Sequence, residues 1–308
     1  MEHSTDEMKK NILLLETIAD EAYQLLLDAD DIVVHRAYES LPAAEVLKSI
    51  DAVITRGSGQ IDVKLMDACP QLQVAARCGV GLDNVDVSAA SKRNILVVNT
   101  PGANASTVAE HAIALMLMLQ RNLFQALQDV KSGHWAARNT FKSDEVGGKT
   151  LGILGLGNIG IKVAKIAEAL GMQVIYWSKS PKAVPYRYVS KEELFATADI
   201  ISIHLALTAD TEHLVNAGVF NTIKPACILI NTARGPIVDK TALVEALHAG
   251  RLAGYGADVP VSPAPAADDA LIAHPRALIT AHVSSLTATT YKNMCLMTVN
   301  KVLAILRG

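Results

Sequence analysis

The sequence predicts an α/β fold built on doubly wound parallel sheets, and three features carry that prediction. Short apolar runs alternate with amphipathic stretches over nearly the whole chain. The runs form two separate series. A Gly-x-Gly-x-x-Gly motif sits where the first run of the second series hands over to a helix. Strands alternating with helices need crossover connections, which give parallel sheets covered on both faces. A length of 308 residues suits about two domains, each able to bury its own core.

In chain order, the first series reads as strands at Ile12–Leu15, Asp31–Val34, Ala52–Ile54, Val74–Ala76 and Leu96–Val98, with helical patterns such as Ile18–Leu27 and Ala43–Ser49 between them. Pro101-Gly102 breaks the pattern. A long helix follows over Ser106–Gln120, with Ser106 or Thr107 near its start. A polar stretch, Ser132–Gly148, then holds Trp135 and Phe141. The second series runs Leu151–Leu154, Val174–Trp177, Ile200–Ile203, Ile228–Asn231, Gly254–Ala257 and Leu278–Thr280. Six strands is the number expected of a complete dinucleotide-binding sheet. The last helix, Thr289–Leu306, has lost the strand alternation, which leaves it available to pack back on the first domain and make that domain discontinuous.

Composition excludes several classes. The chain is 50% hydrophobic and 19% charged with a net charge of -3 and no basic run, which disfavours nucleic-acid binding. The segment Met1–Lys10 is polar and acidic, unlike a signal peptide. The longest apolar stretch, Ala112–Leu119, falls short of the about 20 residues that span a bilayer. Cys69, Cys78, Cys227 and Cys295 are scattered, so neither a disulfide framework nor a metal site is expected. The expectation is a cytoplasmic protein without a membrane partner.

Gly155-Leu156-Gly157-Asn158-Ile159-Gly160 follows a strand, opens the helix Ile161–Leu170 and precedes a second strand, which is the context of a dinucleotide site. Gly155 permits the tight turn, Gly157 lets the backbone approach the pyrophosphate, and Gly160 lets the helix pack on the sheet. The helix N-terminus offers N–H groups to the phosphates. An acidic residue at the end of the second strand would bond the ribose 2′-hydroxyl of NAD. Ser178 and Lys179 stand there instead, a hydroxyl and a cation that suit a 2′-phosphate. This favours NADP, with NAD possible; the alternative for Lys179 is a solvated surface position. Gly148-Lys149-Thr150 imitates the end of a P-loop but lacks its first glycine, since Ser143 stands there.

Five segments in order give the chain a resemblance to the D-2-hydroxyacid dehydrogenase family: Arg77 to Asp86 (RCGVGLDNVD), Val108-Ala109-Glu110-His111, the glycine motif, Asn231-Thr232-Ala233-Arg234-Gly235 and Thr280-Ala281-His282. The resemblance covers about Ile12 to Leu306. It implies a flavodoxin-like substrate domain split in sequence (residues 1–102 and 283–308), an inserted NAD(P)-binding Rossmann domain (103–282), a site in the cleft between them, and a homodimer joined through a helical arm that includes 106–123. By match to the motifs, Arg234 binds the substrate carboxylate and polarises its carbonyl, and His282 exchanges the proton with the hydroxyl oxygen. Val80, Thr107, Asn158, Ile159, Leu205, Thr232 and Asp258 would contact the cofactor, Asp258 near the nicotinamide amide. The N–H groups of Cys78, Gly79 and Val80 would meet the substrate carboxylate. Arg56, just after a strand, is a candidate for a distal anionic group, or else a structural residue. The implied reaction is hydride transfer between NADP and a small 2-oxo or D-2-hydroxy acid of the glyoxylate or hydroxypyruvate kind. His35, His134 and His213 fall in polar connections and match no family motif, and His204 ends a strand beside the cofactor.

One position departs from the family. A glutamate five residues after Asp258 normally supports the histidine, and here that position is Pro263, with no glutamate anywhere before His282. Losing it removes a term that favours the imidazolium. Three readings stay open: Asp268 or Asp269 replaces the carboxylate, His282 works unpaired, or the chain is a dinucleotide sensor or corepressor-like protein with little turnover.

Overall fold

The structure, a computed structural model, describes residues 9–259, 266 and 268–308. The chain divides into two compact units, Met1–Asn104 with Leu286–Gly308, and Ala105–Ser285.

In the first unit, β1 (Lys10–Leu14), β2 (Ile32–Arg36), β3 (Ala52–Thr55), β4 (Val74–Arg77) and β5 (Leu96–Val98) form one sheet in the order β2-β1-β3-β4-β5. Every pairing is parallel, and the order is that of a flavodoxin-like sheet. Side chains alternate between its faces with the strand period. Ile12, Leu14, Ile54 and Ala76 meet Ala22 and Leu26 of helix Asp20–Leu27, and Cys295, Val299, Val302 and Leu306 of the C-terminal helix Ala288–Arg307. Leu13, Val53 and Ala75 point the other way, onto Leu65 and Met66 of helix Val63–Ala68 and Ala89 and Ala90 of helix Val87–Lys92. Asp62 and Asp86 cap those two helices by accepting from the N–H groups of Leu65 and Ala89. His35, expected in a connection, lies within β2, its Nε2 2.9 Å from Oδ1 of Asn11.

The second unit carries β6 (Thr150–Leu154), β7 (Gln173–Trp177), β8 (Arg187–Tyr188), β9 (Ile200–Ile203), β10 (Cys227–Asn231), β11 (Leu252–Ala257) and β12 (Ala277–Ile279) in the order β12-β11-β10-β9-β6-β7-β8. The sheet therefore has seven strands where the sequence suggested six. The strand missed is β8, an exposed two-residue edge that pairs only with β7. From β6 the order runs outward through β7 and β8 on one side and β9 to β12 on the other. The switch point lies between β6 and β9, and ligands of such sheets bind outside the carboxyl ends of the strands there.

Helix Ala105–Gln120 buries Ala109, Ala112, Leu115, Met116 and Leu119 with Leu151, Ile153, Ile228 and Ile230 of the sheet. Arg276 ties down its carboxyl end, donating from Nη2 to the Leu119 carbonyl at 3.2 Å and from Nη1 to Asn122 Oδ1 at 3.0 Å. The next helix, Leu123–Lys131, buries no residue at all.

Candidate active site

The glycine motif closes β6 and begins the helix Asn158–Ala169, which starts three residues earlier than its apolar pattern suggested. Gly155 has a φ of 104°, and a Cβ there would lie 2.8 Å from the His204 carbonyl oxygen, so only glycine fits this turn. A Cβ on Gly160 would run into the Gly155 carbonyl oxygen. Gly157, the helix N-cap, makes no side-chain cap, and a Cβ there would meet no atom within 4 Å, so the turn is uncapped and open beside Gly157. Two buried polar atoms at the carboxyl ends of neighbouring strands also lack partners: Nδ1 of His204 after β9 and Oγ1 of Thr232 after β10. Burial holds the His204 imidazole neutral, with its pKa down at about 3. An uncapped helix end, a backbone cradle that excludes side chains and unpaired polar atoms beside it fit a dinucleotide phosphate and its nicotinamide half.

At the end of β7, Ser178 is buried and donates from Oγ to the Ser180 carbonyl at 2.5 Å. Lys179 is exposed. Lys191 places its ammonium 5.2 Å from the centre of the Trp177 ring, a second cation near this strand end that sequence pattern did not single out. Asn158 and Ile159 open the motif helix, Leu205 follows β9 and packs on the core, and Thr107 lies in the first turns of helix Ala105–Gln120.

Arg234 follows β10 in extended conformation and heads a 3-10 turn, Gly235–Ile237. Asn231, fully buried, shapes the approach to it: Oδ1 accepts from Ala233 N at 3.0 Å and Nδ2 donates to the Arg234 carbonyl at 2.9 Å. The guanidinium donates to the Ala233 carbonyl at 2.7 Å. His282 is exposed, just beyond β12, with a left-handed φ of 57°. Asp258 holds that conformation from both sides. Its carboxylate accepts from the Thr280 hydroxyl, from Val283 N at 2.9 Å and from Ser284 N at 2.8 Å. Burial alone would raise the Asp258 pKa, but the donors from Ser284, Thr280 and Val283 outweigh it and hold the group below the usual carboxylate range. Asp258 is thus fully buried beneath the histidine loop. His111, named above only within a family segment, joins the same network, Nε2 lying 2.9 Å from the Thr280 hydroxyl and 3.7 Å from Asp258. Pro263 lies outside the described residues. Of its suggested substitutes, Asp269 is bonded to the Lys240 ammonium and to Leu271 N, and Asp268 is exposed.

In the first unit, the three expected N–H donors are not equally available. Cys78 N donates to the Thr55 carbonyl and Gly79 N to the Arg77 carbonyl, each at 2.9 Å. Val80 N is the one of the three without an acceptor among the described residues. Arg56, after β3, is half-buried, and Glu16, absent from any motif, binds the loop that follows it.

The chain matches the D-isomer specific 2-hydroxyacid dehydrogenase, NAD binding domain, over residues 113–284. It is 35% identical over 288 residues to a hydroxypyruvate reductase of Thermotoga maritima, covering 92% of this chain and 94% of that protein. It is 33% identical over 303 residues to a D-3-phosphoglycerate dehydrogenase of Archaeoglobus fulgidus, covering 96% of this chain but only 57% of that longer relative. Among solved structures, the NADPH-dependent glyoxylate/hydroxypyruvate reductase of Sinorhizobium meliloti, in complex with NADP and malonate, aligns with a TM-score of 0.86 at 33% identity, covering 96% of this chain and 93% of that one. Among the described residues no helix is long and apolar enough to cross a membrane. With the glycine cradle, the Asn231-shaped turn of Arg234 and the His282 loop all present, the chain belongs to the D-isomer-specific 2-hydroxyacid dehydrogenase family.

Proposed function

We propose that this chain reduces a small 2-oxo acid to the D-2-hydroxy acid, with glyoxylate and hydroxypyruvate as the substrate class and NADPH preferred to NADH. The observation that carries the reading is the pair of loops beside the glycine cradle, one held by Asn231 and presenting Arg234, the other held by Asp258 and presenting His282. The reductases among its relatives support the substrate class. Bound NADPH supplies the hydride. Arg234 pairs with the substrate carboxylate through its planar fork and draws charge from the carbonyl oxygen. In the first unit, Val80 N–H is the backbone donor proposed for a substrate carboxylate. His282 delivers the proton that the hydroxyl oxygen needs during reduction. With Asp269 engaged by Lys240, His282 works without a supporting carboxylate from that residue. Lys179 meets the 2′-phosphate.

Two copies associate through helix Leu123–Lys131. Leu123, Phe124, Leu127 and Val130 are exposed there, Leu127 by 58%, and Trp135 just beyond is 67% exposed. A contiguous apolar face of this kind marks an association surface.

NADPH oxidation measured with glyoxylate, hydroxypyruvate, pyruvate and longer 2-oxo acids tests the proposal, with Arg234→Ala alongside. Turnover of at least one of the short acids is expected, and the variant should lose about 10²- to 10³-fold in kcat/KM while its NADPH affinity stays near that of the wild type. Tight NADPH binding with no turnover on any acid would instead make the chain a dinucleotide-binding protein without this chemistry.

A further inference from the structure

The turn that presents His282 is held from outside itself. His282 takes a left-handed φ of 57°, a conformation that costs a residue with a Cβ. The N–H groups of the next two residues end on opposite oxygens of Asp258, Val283 N on Oδ1 at 2.9 Å and Ser284 N on Oδ2 at 2.8 Å. Asp258 is fully buried, so the turn depends on where that carboxylate sits.

Two further side chains steer Asp258. The Thr280 hydroxyl donates to its Oδ1, and Nε2 of His111 lies 2.9 Å from that hydroxyl. A hydroxyl has one proton and two lone pairs. The Thr280 proton has two acceptors in reach, the Asp258 carboxylate and the Ala257 carbonyl at 3.3 Å. The proton between His111 and Thr280 therefore sits on the imidazole, and Nε2 donates. That bond occupies a lone pair of the hydroxyl and polarises it toward the stronger acceptor, the carboxylate. His111 stands on helix Ala105–Gln120, which is anchored through buried Ala109, Ala112 and Leu115, and its side chain is only 22% exposed. Helix, hydroxyl, carboxylate and turn all belong to the second unit.

We infer that His111 is a positioning residue: by donating to Thr280 from an anchored helix, it aims that hydroxyl at Asp258 and so keeps the His282 turn in its left-handed form. Without the imidazole donor the hydroxyl is free to turn to the Ala257 carbonyl, and the carboxylate loses one of the bonds that hold it under the turn. The effect on turnover rests on His282 as the proton donor proposed above; the effect on the turn does not.

The test compares wild type with His111→Leu, which removes the donor, and His111→Gln, which offers an amide N–H in its place. Amide hydrogen exchange followed by NMR reads the turn directly, and NADPH oxidation with glyoxylate reads its effect on turnover. In His111→Leu, exchange at Val283 and Ser284 should quicken about tenfold and kcat should fall about tenfold, with the KM for NADPH unchanged. In His111→Gln both should return to within about twofold of wild type, and in a Thr280→Val background His111→Leu should add nothing. Wild-type exchange in His111→Leu overturns the inference. So does a loss in His111→Gln equal to that in His111→Leu, which would put the packing of the ring in place of its donor. So does a full further loss when His111→Leu is added to Thr280→Val. If exchange responds as expected and kcat does not, the inference about the turn stands and His282 is not the proton donor. Should His111→Leu fail to fold, His111→Phe, which keeps a ring without a donor, takes its place under the same criteria. Should no acid be turned over, exchange alone decides.

Discussion

Glu16 and His204 are both withdrawn from water, yet the protein fixes them in opposite charge states. Burial works against the Glu16 carboxylate, but the N–H groups of Gly59, Arg56, Gly57 and Ser58 outweigh it and bring the pKa down to about 2 from the ordinary 4.5. Among the described residues His204 finds only the Ser202 hydroxyl, 2.8 Å from Nε2, and stays neutral. For Glu16 the sign follows directly. A pKa lower in the folded than in the unfolded chain contributes stability that is complete above the unfolded value and disappears as the pH falls toward the folded one. Urea denaturation of wild type and Glu16→Gln should therefore show a constant difference in stability from pH 7 down to about 5, shrinking between about 4.5 and about 2. A difference that persists unchanged at pH 2 would mean that the carboxylate contributes through packing and not through charge. The turn that carries Arg234 and the turn at Gly155 were legible in the sequence because their backbone shapes are local: Asn231 shapes a turn only three residues long, and Gly155 takes a φ of 104° at the end of its own strand. Glu16 was not legible, because its donors lie 39 to 43 residues further on and meet it only once β1 and β3 pair.

At the scale of elements, the proposed preference for NADPH rests on the end of β7. No carboxylate stands there to repel a 2′-phosphate, and exposed Lys179 offers a counter-charge. Replacing Ser178 by Asp together with Lys179→Ala should raise the KM for NADPH by about 10-fold or more and move the preference toward NADH, read from kcat/KM for the two cofactors. Equal use of both cofactors by the wild type would remove the assignment. The strands before and after this point were legible from apolar runs that are buried on both faces, as in Ile200–Ile203, where every residue is buried. Arg187–Tyr188 carries no such run, since two exposed residues on a sheet edge need no apolar pattern to pair. The start of the motif helix was placed late for a related reason: Asn158 and its neighbours belong to a turn whose purpose is to leave N–H groups bare, and an apolar stripe begins only afterwards.

For the molecule as a whole, the exposed apolar face of helix Leu123–Lys131 sets the expected assembly. Leu127→Asp with Val130→Asp should convert a dimer into a monomer by light scattering at micromolar concentration, while the far-ultraviolet circular dichroism stays that of the wild type. A wild type that is already monomeric would show that this face has another use. A different property of the whole chain follows from where its last helix packs. Val299, Val302 and Leu306 cover the face of the first sheet that presents Ile12, Leu14 and Ile54, yet they are synthesised only after the whole of the second unit, residues 105–285. Translation at about 5–20 residues per second spends roughly 10–35 seconds on the intervening unit. Throughout that interval the first sheet has only Ala22 and Leu26 of helix Asp20–Leu27 over this face, and the rest of its cover is still missing. The second unit is thus complete in sequence before the first, which leaves the half-covered first sheet as an aggregation-prone surface of the growing chain.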